Sequence, residues 1–260
     1  MDSPHKVHFQ QRGARPAEVA VCVTLYDYAE HVTAALDSVQ AQDLETVDLI
    51  VVDDHSTDRS LRVASDWIRT HRDRFNTALL VQHEVNQGLS AARNTGFSIA
   101  DPPYVFVLDA DNAIFPRCLS RCVETVQQSG AAFAYPIIER FEGESSLMSN
   151  EIWNVDRLVY SNYIDAMALV SKEAWRAVGG YSTEMIWGWE DYDLWCKFAE
   201  RGFAGVQVPE ILARYRVHSK SMLQTTTDSN ERRVKEVIQA RHPWLSLDPN
   251  AERIQASRER

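Results

Sequence analysis

Asp109 and Asp111 stand one residue apart where an apolar run, Tyr104-Val105-Phe106-Val107-Leu108, stops. Two carboxylates at that spacing repel each other. Hard oxygen ligands of this kind, together with substrate phosphates, are how proteins hold Mg²⁺ or Mn²⁺. An acidic turn after a core strand is the plain alternative. A second acidic pair, Asp53-Asp54, ends the run Asp48–Val52. A carboxylate there can accept the imide N–H of a uracil ring, or the cluster through Asp58 can cap the next helix. Arg93 carries a guanidinium suited to a base or a diphosphate, or to a surface ion pair. Glu190, Asp191 and Asp193 crowd the start of a helical pattern. The helix terminus favours their ionised forms, whereas their mutual repulsion holds a proton more readily and moves a base toward useful strength. A capping box without chemistry is the alternative. Just ahead, Trp187 and Trp189 could stack on a sugar face or belong to the core. His218, after Tyr215-Arg216-Val217, offers a neutral imidazole that suits Mn²⁺, or a structural ring.

The elements that must position these groups are legible as an alternation. From Val19, short apolar runs alternate with longer amphipathic segments: Val19–Leu25, Ala29–Gln42, Asp48–Val52, Asp58–Thr70, Ala78–Gln82, Ser90–Ile99 and Tyr104–Leu108. This βαβαβαβ rhythm implies a parallel sheet with helices on both faces, and ligands gather at the carboxyl ends of such strands. Helix starts are expected at Ser56 or Asp58 and at Ser90. Beyond Asp111 the pattern predicts a helix over Pro116–Gln128 and a strand over Ala131–Ile138. A polar mobile loop or hairpin, where an acceptor could bind, is expected from Glu139 to Ser161. Ala166–Val170 reads as a strand, and Lys172–Val178 and Asp191–Arg201 as helices closed by Gly179-Gly180 and Gly202. Gly205–Val208 and Ala213–Val217 read as separate late strands, and Asn230–Arg241 as an amphipathic helix.

Composition narrows the function classes. The 260 residues, 45% hydrophobic and 25% charged, suffice for a sizeable core and are ordinary for a soluble globular domain. A net charge of -10 opposes general nucleic-acid binding, and its field would repel phosphates unless a bound divalent cation reversed the local sign. Cys22, Cys118, Cys122 and Cys196 lack paired zinc-type spacing and read as buried small hydrophobes in a reducing compartment. Met1 to Arg15 has no apolar core of a secretory signal, and no window of about 18 apolar residues exists. No transmembrane segment is expected, peripheral membrane contact stays open, and cytoplasmic residence is the default.

The order of the segments carries a resemblance. Thr24-Leu25-Tyr26-Asp27 ends the first strand, and Val51-Val52-Asp53-Asp54-His55-Ser56-Thr57-Asp58 follows the second. Then come Asn86-Gln87-Gly88-Leu89-Ser90-Ala91-Ala92-Arg93-Asn94-Thr95-Gly96, Asp109-Ala110-Asp111, Gly179-Gly180-Tyr181 and Trp187-Gly188-Trp189-Glu190-Asp191-Tyr192-Asp193-Leu194. This string resembles the family 2 glycosyltransferases of GT-A fold over roughly Val19 to Ser221. Asp27 stands where the family usually has Asn, and His55 where it usually has Gly.

The resemblance implies an α/β, GT-A fold with a mainly parallel central sheet flanked by helices. The polar N-terminus reads as a flexible tail over 1–17, and the resemblance implies a single catalytic domain over 18–228, with a nucleotide-binding half at 18–111 and an acceptor-binding half at 112–228. A C-terminal helix and tail would follow over 229–260. The implied activity is metal-dependent, inverting transfer of a sugar from a nucleotide-diphosphate donor, a UDP-sugar by default, to a hydroxyl acceptor, with Mn²⁺ or Mg²⁺ as cofactor. That acceptor would be a saccharide, a lipid-linked glycan or a small molecule. Asp191 would be the catalytic base, with Glu190, Trp187 and Trp189 on the acceptor. Thr24, Tyr26, Asp53, Asp54, Arg93 and Asp109 would bind the donor. Asp111 and His218 would hold the metal, with Arg216 and Lys220 as weaker phosphate contacts and Ser219 to Ser229 as a closing loop. Two rival readings are a sugar-phosphate nucleotidyltransferase and a non-catalytic nucleotide-sugar or carbohydrate-binding domain. Leu25-Tyr26-Asp27-Tyr28-Ala29-Glu30 lacks the Gly-rich basic loop of the first, and intact Asp109, Asp111 and Asp191 argue against the second.

Overall fold

Residues 3–143, 145–218 and 230–247 are described by the computed structural model. The chain joins the sheet earlier than its sequence suggests: β1 (His5–Gln11) pairs antiparallel with the segment Ala78–His83. Within the expected flexible tail, these seven residues are therefore a strand. The reason it escapes notice is its place at an edge, where one buried face suffices. Phe9 packs on the core while Val7 stays exposed.

The expected alternation follows as β2 (Val19–Leu25), α1 (Val32–Gln40), β3 (Val47–Asp53), α2 (Ser60–His71), β4 (Ala78–His83), α3 (Leu89–Ile99) and β5 (Tyr104–Asp109). β4, β3, β2 and β5 lie side by side and parallel. Every residue of β2 and β3 is buried, as β-branched runs covered on both faces should be. Val19, Val21 and Val23 face one core, beneath α1 and α2, while Ala20 and Cys22 face a second core that α3 shares. Gly96 lets α3 approach that second face, since a Cβ there would run into Cys22 Sγ.

The second half departs from a mainly parallel sheet. It contains β6 (Ala113–Ile114), α4 (Cys118–Ser129), β7 (Phe133–Phe141), β8 (Leu147–Met148), α5 (Val155–Leu158) and β9 (Leu169–Ser171). It ends with α6 (Lys172–Ala177), α7 (Glu190–Glu200), β10 (Gly205–Arg216) and α8 (Glu231–Arg241). The strand order is β1-β4-β3-β2-β5-β9-β7-β10-β6, with β8 on β7. β9 runs antiparallel to both β5 and β7, whereas β7 and β10 are parallel, so the sheet is mixed. The two late strands of the sequence reading are one, β10, whose register shifts between Val208 and Ala213. Pro209, lacking an N–H, falls at this break. The polar stretch after Glu139 is ordered as the β7–β8 hairpin followed by α5. α3 starts after Gly88, so Ser90 is inside the helix rather than its cap.

Candidate active site

Thr24, Asp53 and Asp109 end adjacent strands and meet through register: Thr24 lies opposite Asp109, and Leu25 opposite Asp53. Asp109 is the hub. Its Oδ1 accepts from Thr24 Oγ1 at 2.8 Å, and Arg93 Nη2 reaches its two oxygens at 3.0 and 3.2 Å. Arg93 Nη1 pairs with Glu190 from α7. A guanidinium that is 1% exposed must be paired, and two carboxylates do this. Arg93, expected at the donor, therefore fixes Asp109 and Glu190 relative to each other.

Two clefts meet here, with Leu89, Asp109 and Tyr215 in the walls of both. The larger, about 1060 Å³, takes in the ends of β2, β3 and β5. In it, Asp111 Oδ2 lies 3.0 Å from His218 Nε2. Burial and the Asp109 charge push the Asp111 carboxyl up, and His218 opposes them. Tyr28 and His31 pack their rings 5.8 and 5.5 Å from that of His218. A carboxylate facing an imidazole nitrogen is a donor pair whose chemistry suits a borderline or hard divalent cation. Among the described residues, no group of three or more His, Cys, Asp and Glu is arranged to hold an ion. Arg216 is tied to Glu142 and to the Asp111 carbonyl.

Tyr26, 43% exposed, and Thr24 line the same cleft. Asp53 does not: its carboxylate accepts from Ser56 and Gln82 and is fully buried. Asp54 lines the cleft but turns its oxygens to the Gln87 N–H at 2.8 Å, the Gly88 N–H at 2.7 Å and the His83 ring at 2.6 Å. Buried carboxylates satisfy themselves on the nearest N–H groups. Asp54 thereby holds the Asn86-Gln87-Gly88 turn, where Gly88 takes φ +88° at the entrance to α3. The two departures from the family string both sit in left-handed backbone, Asp27 at φ 57° and His55 at φ 63°. The turns keep the geometry that Asn and Gly favour, and Asp27 Oδ1 locks it by accepting from Thr57 N at 2.6 Å and Asp58 N at 3.1 Å.

The smaller cleft, about 680 Å³, is walled by α7, the segment Tyr160–Ala166 and part of α8. Asp191 enters it from the first turn of α7, its Oδ1 accepting from Tyr192 N at 2.7 Å and Asn162 Nδ2 at 3.1 Å. Burial, then the charges of Glu190 and Asp165, hold the Asp191 carboxyl well above the usual carboxylate range. Asp165 is itself pushed up to about 6, chiefly by burial. Trp189 lines the cleft with φ 60°, a strained conformation for a bulky residue and one that clusters at working sites. Trp187 is elsewhere, under the Arg233 guanidinium of α8 at 5.6 Å. Asp193 turns away as well, into Lys197, Arg241 and His242. It therefore does not join Glu190 and Asp191 in raising a base.

Asp165 and Asn162 were not singled out by the sequence. Their only signal is an Asn and an Asp just ahead of the β9 strand that flanks β5, which becomes meaningful once β9 is known to lie beside it. Lys220 and the segment Ser219 to Ser229 lie outside the described residues. No helix among the described residues is long and apolar enough to cross a membrane.

A mixed central sheet flanked by helices defines a structural class, and solved proteins share that fold. S. aureus TarS 1-349 in complex with UDP-GlcNAc superimposes with a TM-score of 0.70 at 18% identity, over 86% of this chain and 66% of that one. The mannosyltransferase PcManGT of Pyrobaculum calidifontis, in complex with GDP-Man and Mn²⁺, gives 0.68 at 19% identity, over 92% and 67%. The fold is GT-A. The family model described as glycosyl transferase family 2 matches residues 20–185, more than half of the chain, which thus belongs to that enzyme family. A second model, the N-terminal domain of galactosyltransferase, matches residues 151–221. A protein named as a glycosyltransferase, EpsE of Bacillus subtilis (strain 168), is 26% identical over 208 residues, 78% of this chain and 74% of its own length. Several further curated relatives are matched over only 27% to 44% of their length.

Proposed function

We propose that the chain transfers a glycosyl group from a nucleotide-diphosphate sugar, with UDP-sugars first among candidates, to a hydroxyl acceptor with inversion at the anomeric carbon. The observation that carries this is the junction at Asp109: the Asp111–His218 pair lies in one cleft, Asp191 in the other, and Asp109 in the wall of both. The donor's nucleotide and diphosphate occupy the larger cleft, with Tyr26 and Thr24 beside the nucleoside and the sugar directed at the junction. Residues 18–111 thus serve as the nucleotide half and 112–228 as the acceptor half. Asp191 removes the acceptor hydroxyl proton as that oxygen attacks, a role that a carboxyl held above its ordinary range suits. Glu190 and Arg93 keep Asp109 fixed while Trp189 offers a face to a sugar ring. A divalent cation, Mn²⁺ or Mg²⁺, held by Asp111 and His218 when bound, would supply charge neutralisation for the leaving nucleoside diphosphate.

The test is calorimetric titration of UDP, GDP and their sugars with and without Mn²⁺, alongside donor hydrolysis. Metal-dependent nucleotide affinity that disappears in Asp111→Asn is expected. Equal affinity with and without Mn²⁺ in the unsubstituted chain would remove the metal-dependent reading.

A further inference from the structure

We propose that Asn162 is a positioning residue: its amide holds one oxygen of the Asp191 carboxylate so that the other faces the acceptor hydroxyl. The inference rests on the reading of Asp191 as base. Nδ2 of Asn162 and the backbone N–H of Tyr192 both donate to Asp191 Oδ1, at 3.1 and 2.7 Å. Among the described residues no hydrogen bond reaches Asp191 Oδ2. A carboxylate presents two equivalent oxygens until donors distinguish them. The Tyr192 N–H is adjacent in the chain and can serve either oxygen as the side chain rotates. Asn162 comes from a loop 29 residues earlier and selects one.

The amide's orientation follows from its partner, because an ionised carboxylate only accepts and so must meet the NH₂ end. The Oδ1 of Asn162 is buried with no hydrogen-bond partner among the described residues. Among the described residues the side chain's single polar tie is therefore to Asp191, which distinguishes it from a brace between two loops. The tie also addresses an electrostatic problem. Burial, Glu190 and Asp165 all disfavour the ionised base, and Arg93, which opposes them, is engaged by Asp109 and Glu190. A neutral donor on the carboxylate stabilises its anion without adding a full opposing charge.

The experiment compares Asn162→Leu, close in size and without a donor, with the unsubstituted chain in Mn²⁺-dependent hydrolysis of UDP-glucose, UDP-N-acetylglucosamine and GDP-mannose. For whichever donor turns over fastest, kcat should fall about 10- to 100-fold while the donor KM holds. The acid limb of the kcat profile should move to higher pH, because losing a donor to the anion raises the carboxyl's pKa. Asn162→Ser, which can still donate, should recover part of the rate and bring the limb back. Asn162→Ala takes the place of the leucine variant if that one does not fold. An unchanged kcat and limb overturn the inference, as does a lower kcat with an unmoved limb. Asp191→Asn in the same assay separates the two readings. Turnover retained there removes the base itself, whereas an inactive Asp191→Asn beside an unaltered Asn162→Leu removes only the role of Asn162.

Discussion

Asp191 and Asp193 lie two residues apart on α7, and their surroundings drive them in opposite directions. Asp191 opens on a cleft among other carboxylates, and burial and those neighbours raise its affinity for a proton. Burial alone would raise Asp193 too, but the His242 hydrogen bond and the Lys197 and Arg241 charges hold it well below the ordinary range. One helix thus presents to the cleft an acid that resists ionisation and anchors inside one that is readily ionised. Acid content along a helix start therefore says little until each side chain's partners are known.

The largest expected effect separates the two by activity. Asp191→Asn should lower turnover about 10²- to 10⁴-fold, the span that general-base catalysis supplies. It should also stabilise the fold at neutral pH by about 1 kcal/mol, since a site that resists ionisation is relieved by a neutral amide. A lowered melting temperature in this variant would contradict the electrostatic account of the site.

Asp193→Asn should do the reverse. Removing the charge of one partner from a buried ion network costs about 3 kcal/mol. Arg241 and His242, at 2.6 and 3.1 Å, lose the shared counter-charge, and Lys197, at 2.8 Å from the other oxygen, would face an amide NH₂. Denaturant unfolding measures this, and turnover of the folded fraction should change far less than in Asp191→Asn. Comparable loss of turnover in both variants would erase the distinction drawn between them.

The same network carries a pH dependence with a defined sign. His242 donates from Nδ1 to Glu200 at 2.7 Å and from Nε2 to Asp193 at 3.1 Å, which only the doubly protonated ring can do. Burial opposes that charge, but the two carboxylates raise the ring's pKa above its ordinary value. The stabilisation is fully present below about pH 6.5, the unfolded value, and is lost as pH rises through the higher folded value. Asp193, depressed, contributes above about pH 3.9 and loses its contribution as pH falls through its lower folded value. The melting temperature should therefore decline from pH 6 upward in the unsubstituted chain and flatten in His242→Gln. A slope equal in both would place the titrating group elsewhere.

Legibility in the sequence followed the physics of burial. β2, β3 and β5 are covered on both faces, so their apolar runs identified them and the acids at their ends. β1 and the continuous β10 were not visible, because an edge strand has a weak pattern and Pro209 interrupts the other. For the site, position was readable and direction was not. Asp54 was placed at the right strand end, yet its oxygens face the Gln87 and Gly88 amides. Asp193 looked like a neighbour of Asp191, and only the packing of α8 against α7 shows otherwise. Asp165 and Asn162 belong to a loop whose relation to Asp191 is purely tertiary.

The smallest expected effect isolates burial from charge. Arg241 engages two carboxylates at the same distance, 2.6 Å: Asp193, whose side chain is fully buried, and Glu184, whose side chain is 72% exposed. If the contact alone mattered, losing either would cost alike. Water and salt screen the exposed pair, and holding two long side chains together costs entropy, so such pairs contribute about 0 to 1 kcal/mol. Glu184→Gln should thus shift unfolding free energy by under about 0.5 kcal/mol, and half-molar salt should abolish even that difference. Asp193→Asn should keep its deficit in the same salt. A Glu184→Gln cost approaching that of Asp193→Asn would mean that the rim of the α7–α8 contact, and not its buried carboxylate, secures the helix that walls the smaller cleft.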